Sequence, residues 1–220
     1  MVTDVATGMP SNAFVEALAR ARVMAIIRGT DPDAAVATSL ALFDEGVRFV
    51  EISLTTPKAC DAIEQVRAQL PEGAHIGAGT VLTEADVTDV EAAGAQFVVT
   101  PAVTPSIAVA AGRGLPVAAG ALTPTEAWTA VHQGASAVKL FPASVGGPGY
   151  LKAVRDPFPH IPFLAVGGVG LEELDGYLAV GAIGVGVGSP LVGDAASGGD
   201  LDALRQRARA YVTAAERHTR

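Results

Sequence analysis

The sequence predicts an α/β fold, a (β/α)8 TIM barrel preceded by an N-terminal helix, with residues 1–220 forming one domain. Three observations predict it. Eight short apolar runs alternate with amphipathic helical segments along the chain, with no long interruption, no internal boundary and no low-complexity tract. The runs are β-branched and apolar along most of their length, as suits strands covered on both faces. No Rossmann fingerprint is present: "GAGTVL" and "GVGVGS" begin G-x-G but fail at the third glycine. An open doubly wound sheet is the alternative closure, and the count of eight favours the barrel.

Each element follows from local signals. Residues 1–10 show no periodic pattern and are expected to be loosely ordered. Ser11 is read as the cap of a first helix, "NAFVEALARAR", with Phe14, Leu18 and Val15 on one face. The strands are read at "VMAIIR" (23–28), "FVEIS" (49–53), "HIGAGT" (75–80), "QFVVT" (96–100), "PVAAG" (116–120), "AVKLF" (137–141), "FLAVGG" (163–168) and "GVGVGS" (184–189). After the first strand, "DPDAAVATSLALFDEG" offers Asp31 as N-cap, Pro32 at the first helical position and Gly46 beyond the end. "TEADVTDVEAAGA" opens on Thr83 and closes on Gly94, and "TPTEAWTAVHQGA" repeats that logic with Thr123, Pro124 and Gly134. "LEELDGYLAVGA" ends at Gly181, and "LDALRQRARAYVTAAERHTR" is a last helix with a charged end.

Composition narrows the function classes. The 220 residues are 50% hydrophobic, enough for a substantial core, and the formal net charge is -8. That balance argues against a nucleic-acid or anionic-membrane partner, though not against a small anionic ligand, which reads only local charge. Cys60 is the single cysteine, so an intramolecular disulfide and a zinc–thiolate cluster are excluded. The opening "MVTDVATGMPSNAF" lacks the basic start and apolar run of a signal peptide, and no stretch approaches the roughly 18–20 apolar residues of a membrane span. A cytoplasmic chain is expected.

In a barrel of this type the C-terminal ends of the strands face the active site. The polar residues there are Arg28, Glu51, Ser53, Thr80, Thr100, Lys139 and Ser189. Alternation gives them direction. Val50, Ile52 and Leu54 suit the helix layer, which turns Glu51 inward with Phe49 and Ser53. Val138 and Leu140 point out, which turns Lys139 inward with Ala137 and Phe141. A structural buried salt bridge is one reading of Glu51 and Lys139, but such pairs add little net stability. The other reading is chemical. Burial disfavours an ammonium, and the neutral amine attacks a carbonyl to form a Schiff base. The iminium then stabilises a carbanion at the neighbouring carbon, and a nearby carboxylate moves protons. Aldol cleavage needs no more than this.

A metal route has little support: of His75, His132, His160 and His218, only His75 lies near a strand, at its start, and there is no HExxH. The glycines ending strands seven and eight, in "AVGGVG" and "GVGVGSP", suit either tight turns or a phosphate approached by backbone N–H groups. Their joint position favours phosphate at Gly167, Gly168, Gly188 and Ser189. "GGPGY" after strand six reads as a loop shaped around the site. Arg28 suits a carboxylate or phosphate clamp. Thr80 is a hydrogen-bonding candidate, Pro101 with Thr100 a pocket wall, and Trp128 and His132 lie on a helix, the first packing and the second at the surface.

The motifs "VEISLTTP", "GAGTVL", "VTPAVT", "VKLFPAS", "AVGGV" and "GVGSPLV", in this order and spacing, resemble the bacterial 2-keto-3-deoxy-6-phosphogluconate (KDPG) aldolase family. That family includes the 2-dehydro-3-deoxy-6-phosphogalactonate (KDPGal) aldolases and the 4-hydroxy-2-oxoglutarate aldolase activity. The resemblance runs from Arg22 to Val192. It implies a (β/α)8 barrel, a homotrimer, a phosphorylated keto-acid substrate and class I chemistry, which needs no metal or cofactor. It implies that Lys139 is the Schiff-base lysine and Glu51 the catalytic glutamate. It implies that Thr80, Pro101 and Phe141 line the pyruvate end, and that Gly167, Gly168 and Ser189 are the phosphate turns. Two positions depart from the gluconate pattern: Thr55 stands where arginine is usual, and Val166 where threonine is. Valine cannot hydrogen-bond a substrate hydroxyl, so a galacto substrate or relaxed stereochemistry at C4 is implied, and Arg28 becomes the better anion partner. The alternatives are another phosphosugar barrel that uses Glu51 as base, a 4-hydroxy-2-oxoglutarate aldolase, and a non-catalytic sensor of phosphorylated sugar acids.

Overall fold

A computed structural model describes residues 9–218, so the loose order expected of residues 1–10 falls almost entirely outside it. Helix α1 (Ser11–Ala21) leads into β1 (Val23–Ile27), α2 (Pro32–Asp44), β2 (Phe49–Ser53), α3 (Ala59–Ala68), β3 (His75–Gly79), α4 (Glu84–Ala92) and β4 (Val98–Val99). The second half continues through α5 (Ser106–Gly112), β5 (Val117–Ala121), α6 (Pro124–His132), β6 (Ala137–Leu140), α7 (Gly147–Arg155) and β7 (Phe163–Val166). It ends with α8 (Leu171–Ala179), β8 (Gly184–Val187), α9 (Ser189–Val192) and α10 (Leu201–Glu216). Among the described residues, eight strands pair in parallel with their sequence neighbours, and β8 returns to β1 to close the barrel.

The helix starts read from the sequence have a hydrogen-bonding basis. Asp31 Oδ1 accepts the N–H groups of Asp33 and Ala34 at 2.9 and 3.2 Å, with Pro32 behind it. Thr83 with Asp86, and Thr123 with Glu126, form reciprocal capping boxes at the starts of α4 and α6. Three readings change. Ser11 is the first residue of α1 and does not cap it; its hydroxyl instead accepts a hydrogen bond from Ser136 at 3.0 Å. "GGPGY" is largely helical, because Pro148 fits the first turn of α7. Strand β4 is only two residues long, although ladder hydrogen bonds extend from Gln96 N–H to Thr100 N–H on either side of it.

The barrel separates two apolar layers. Val50, Ile52, Val138 and Leu140 belong to the layer between strands and helices. Met24, Phe49, Phe97, Val99, Ala118, Ala137, Leu164 and Val166 point into the barrel, and Phe14 and Leu18 of α1 pack against them. The rings of Phe14, Phe49 and Phe97 meet with centroids 5.4–5.8 Å apart, within the range of favourable aromatic pairing. Helix α1 thus plugs the N-terminal end of the barrel with hydrocarbon. The opposite end carries the polar residues.

Candidate active site

Alternation along β2 and β6 delivers the two central side chains. Phe49 and Glu51 share the inward face of β2, and Ala137 and Lys139 that of β6. Lys139 is 7% exposed and lines a cleft of about 310 Å³ at the C-terminal ends of the strands. Its Nζ lies over the Phe141 ring, 5.2 Å from the centroid. Glu51 is 2% exposed and sits beneath the lining, with its carboxylate against the α-carbon of Gly79: a methyl group there would stand 2.7 Å from Oε1. Burial raises the Glu51 carboxyl above the ordinary glutamate range, opposed by the positive charges of Lys139 and Arg28. Among the described residues no ion pair joins Glu51 to Lys139, and Glu51 Oε2 is buried without a hydrogen-bond partner. A structural salt bridge is therefore not what the pair forms. The carboxyl sits in a dry position, beneath a lysine that opens to the cleft.

The wall of the cleft is built by loops at the strand ends. Arg28, Thr80, Pro101, Phe141, Gly167, Gly168, Gly188 and Ser189 all line it with Lys139. Gly120 lies opposite Lys139 in the ladder and lets the backbone of Pro101 cross it: a methyl group at Gly120 would fall 2.2 Å from the Pro101 carbonyl carbon. Thr100 secures that crossing by donating to Ala102 O at 2.6 Å and accepting from Gly120 N–H at 3.1 Å. The Gly167–Gly168 turn takes φ of +92° and +70° and packs on the loop after β6, where Ser144 N–H donates to Gly167 O at 3.0 Å. Thr80 has φ +62°, a left-handed conformation unusual for a β-branched residue and costing about 1–3 kcal/mol.

Besides Glu51, the sequence-chosen residues Thr55 and Val166 stand outside the lining. Thr55 is exposed, and its hydroxyl bonds Ser53, whose hydroxyl in turn meets Thr80 of the lining. Val166 is buried in the barrel interior and packs against Gly186, which does line the cleft. Ser53, a strand-end candidate with no assigned role, is 1% exposed and bonds both Thr55 Oγ1 at 2.8 Å and Thr80 Oγ1 at 2.9 Å. Trp128 is 47% exposed; its ring meets those of His132 and Phe158, tilted, with centroids 4.0 and 5.9 Å away, so it packs at the surface and not in the core. No group of three or more His, Cys, Asp and Glu side chains is placed to hold a metal among the described residues. No helix among them is long and apolar enough to cross a membrane.

A sequence model of the KDPG and KHG aldolase family matches residues 15–206. A probable 2-dehydro-3-deoxy-6-phosphogalactonate aldolase of Rhizobium meliloti is 40% identical over 194 residues, covering 87% of this chain and 90% of that protein. The 2-dehydro-3-deoxy-6-phosphogalactonate aldolase of Escherichia coli is 39% identical over 194 residues, covering 87% and 93%. Among solved structures, the KDPG aldolase of Legionella pneumophila, with pyruvate captured at low pH as a covalent carbinolamine, superposes with a TM-score of 0.81 at 30% identity. That match covers 90% of this chain and 97% of the Legionella chain.

Proposed function

Because the chain belongs to the KDPG and KHG aldolase family, we propose that its aldolase chemistry runs through a Schiff base on Lys139 with Glu51 as proton carrier. The enzyme is a lyase that cleaves a 2-keto-3-deoxy-6-phospho sugar acid, KDPG or KDPGal, to pyruvate and glyceraldehyde 3-phosphate. The observation that carries the mechanism is the buried, unpaired Glu51 carboxyl under a lysine that opens to the cleft.

The neutral Lys139 amine attacks the C2 ketone, and the resulting carbinolamine loses water as protonated Glu51 supplies a proton to the departing hydroxyl. The Glu51 carboxylate so formed takes the proton of the C4 hydroxyl. The C3–C4 bond breaks, its electron pair passes into the iminium to give an enamine, and glyceraldehyde 3-phosphate leaves. Protonation at C3 and hydrolysis release pyruvate and the free amine. Burial suits Glu51 to this alternation, since a raised carboxyl keeps the acid form available at higher pH. Pyruvate held as a carbinolamine in the Legionella relative supports the same covalent route here.

Gly167, Gly168, Gly188 and Ser189, beyond β7 and β8, take the phosphate, and Arg28, from the adjoining β1, adds charge at that end. Thr80, Pro101 and Phe141 take the pyruvate portion, with Thr55 behind Thr80 and Val166 at the C4 side. A cytoplasmic homotrimer is the proposed setting, and exposed apolar side chains such as Trp128 and Val145 offer contact surface; sedimentation equilibrium measures the assembly. The sharp test is borohydride reduction in the presence of pyruvate, followed by peptide mass analysis. A reduced pyruvate adduct on the peptide containing Lys139, lost in Lys139→Arg, is the expected result. Absence of the adduct in the wild type, with cleavage activity intact, overturns the mechanism.

A further inference from the structure

Resting on that reading, we propose that Ser53 is a positioning residue for the substrate carboxylate: the hydroxyl chain Thr55–Ser53–Thr80 turns the Thr80 proton into the cleft. With the phosphate held beyond β7 and β8, the far terminus of an extended substrate reaches the opposite side of the barrel, where β3 and β4 end. That terminus is a carboxylate one bond from the carbon that Lys139 attacks. The cations lining the cleft are Arg28, beside β8, and Lys139 itself, so no cation lines the wall after β3 and β4 among the described residues. Recognition of the carboxylate there falls to a neutral donor, and Thr80 is the hydroxyl in place.

Proton counting decides what that hydroxyl offers. A serine hydroxyl has one proton and two lone pairs. Ser53 Oγ lies 2.8 Å from Thr55 Oγ1 and 2.9 Å from Thr80 Oγ1, and the Thr55 N–H approaches it at 3.4 Å. With the N–H facing one lone pair, Ser53 gives its proton to one threonine and accepts from the other. If it gives to Thr55, Thr80 must donate back to Ser53 and shows only lone pairs to the cleft. If it gives to Thr80, the Thr80 proton is left for a ligand. An anionic oxygen selects the second arrangement, in which each donor polarises the next. Ser53 is buried outside the lining and acts through Thr80, whose left-handed backbone aims the hydroxyl.

The test compares pyruvate with methyl pyruvate, its neutral ester, as ligands for borohydride trapping on Lys139. In Ser53→Ala the concentration of pyruvate giving half-maximal trapping is expected to rise about tenfold, the scale of one hydrogen bond to a charged group. The value for methyl pyruvate should stay within about twofold on the same scale. Thr55→Val, at an exposed position, should shift pyruvate in the same direction by less, and it carries the test if Ser53→Ala does not fold. Equal shifts for both ligands, or no shift for either, overturn the proposal while leaving the Schiff base standing. A wild-type enzyme that forms no adduct with either ligand overturns both.

Discussion

In the proposed mechanism the cost of burying Lys139 has a use, because the amine must be neutral to attack. The lysine sits at a strand position where the two-residue period puts it on the inward face, and the register sets it opposite Gly120, so the wall beside it is backbone. The same period places Glu51 and Ser53 on the inward face of β2, and so much was legible in the sequence. The link from Ser53 to Thr80 was not, because it depends on a left-handed turn after β3 that no β-branched residue advertises. Nor did the sequence tell that Val166 stands behind the lining, since alternation reports the face of a strand and says nothing of depth along the barrel axis. Val166 carries the residue-scale prediction. Val166→Thr introduces a hydroxyl beside Gly186, which lines the cleft, at the place proposed for C4 of the substrate. The ratio of kcat/KM for KDPG over KDPGal should rise by roughly twofold to tenfold, the span of one neutral hydrogen bond. Parallel cleavage assays on the two C4 epimers measure it, and an unchanged ratio removes Val166 from stereochemical selection.

Helices with a chemical signature at their ends were readable, and those without one, α1 apart, were not. Helices α2, α4 and α6 announce themselves by an Asp or Thr cap, and Gly94 and Gly134 end α4 and α6 in the left-handed region. Helices α3, α5 and α7 gave no such signal. Helix α3 follows Lys58 in a left-handed conformation with no side-chain cap, α5 is seven residues of nearly uniform small apolar character, and α7 opens on Gly147 and Gly149. Tertiary packing against the barrel forms them where local propensity is weak. Helix α1 is the opposite case, an amphipathic segment whose burial could be read in advance. Phe14 and Leu18 are fully buried against Phe49, Phe97 and Met24. Phe14→Ala should cost about 3–5 kcal/mol of stability in urea unfolding, because it removes a ring from a three-ring cluster and leaves a cavity. A loss below about 1 kcal/mol would show that α1 is a loose cover and not a plug.

At the scale of the whole molecule, the outer ring of helices and the barrel centre respond to pH with opposite sign. Glu45 is held below the ordinary glutamate range by hydrogen bonding from Arg205, and Asp175 below its own range by His218; these groups fasten α10 to α2 and to α8. Glu126 is held low by the Thr123 N–H in the cap of α6. Groups depressed in this way contribute stability that is present above their unfolded values and is lost as pH falls through the folded ones. Glu51 is the reverse. Burial raises it, so the folded protein holds this proton more tightly than the unfolded chain does. Its contribution is fully present below 4.5, its ordinary value, and is lost as pH rises through the raised one. Glu51→Gln deletes the central response and leaves the peripheral one. The variant should therefore melt above the wild type at pH 8, and the two melting curves should converge as pH is lowered toward 4.5. Both should then lose stability together on further acidification, as the helix-layer carboxylates protonate. Cleavage activity should meanwhile fall by about 10²–10⁴-fold, the usual contribution of a positioned acid–base group. Stability and activity moving in opposite directions would mark Glu51 as a charge the fold tolerates for its chemistry. A variant that melts below the wild type at pH 8 and converges with it at low pH would mean that the attraction of Lys139 and Arg28 outweighs the cost of burial, and a margin that does not change with pH would mean that the two cancel.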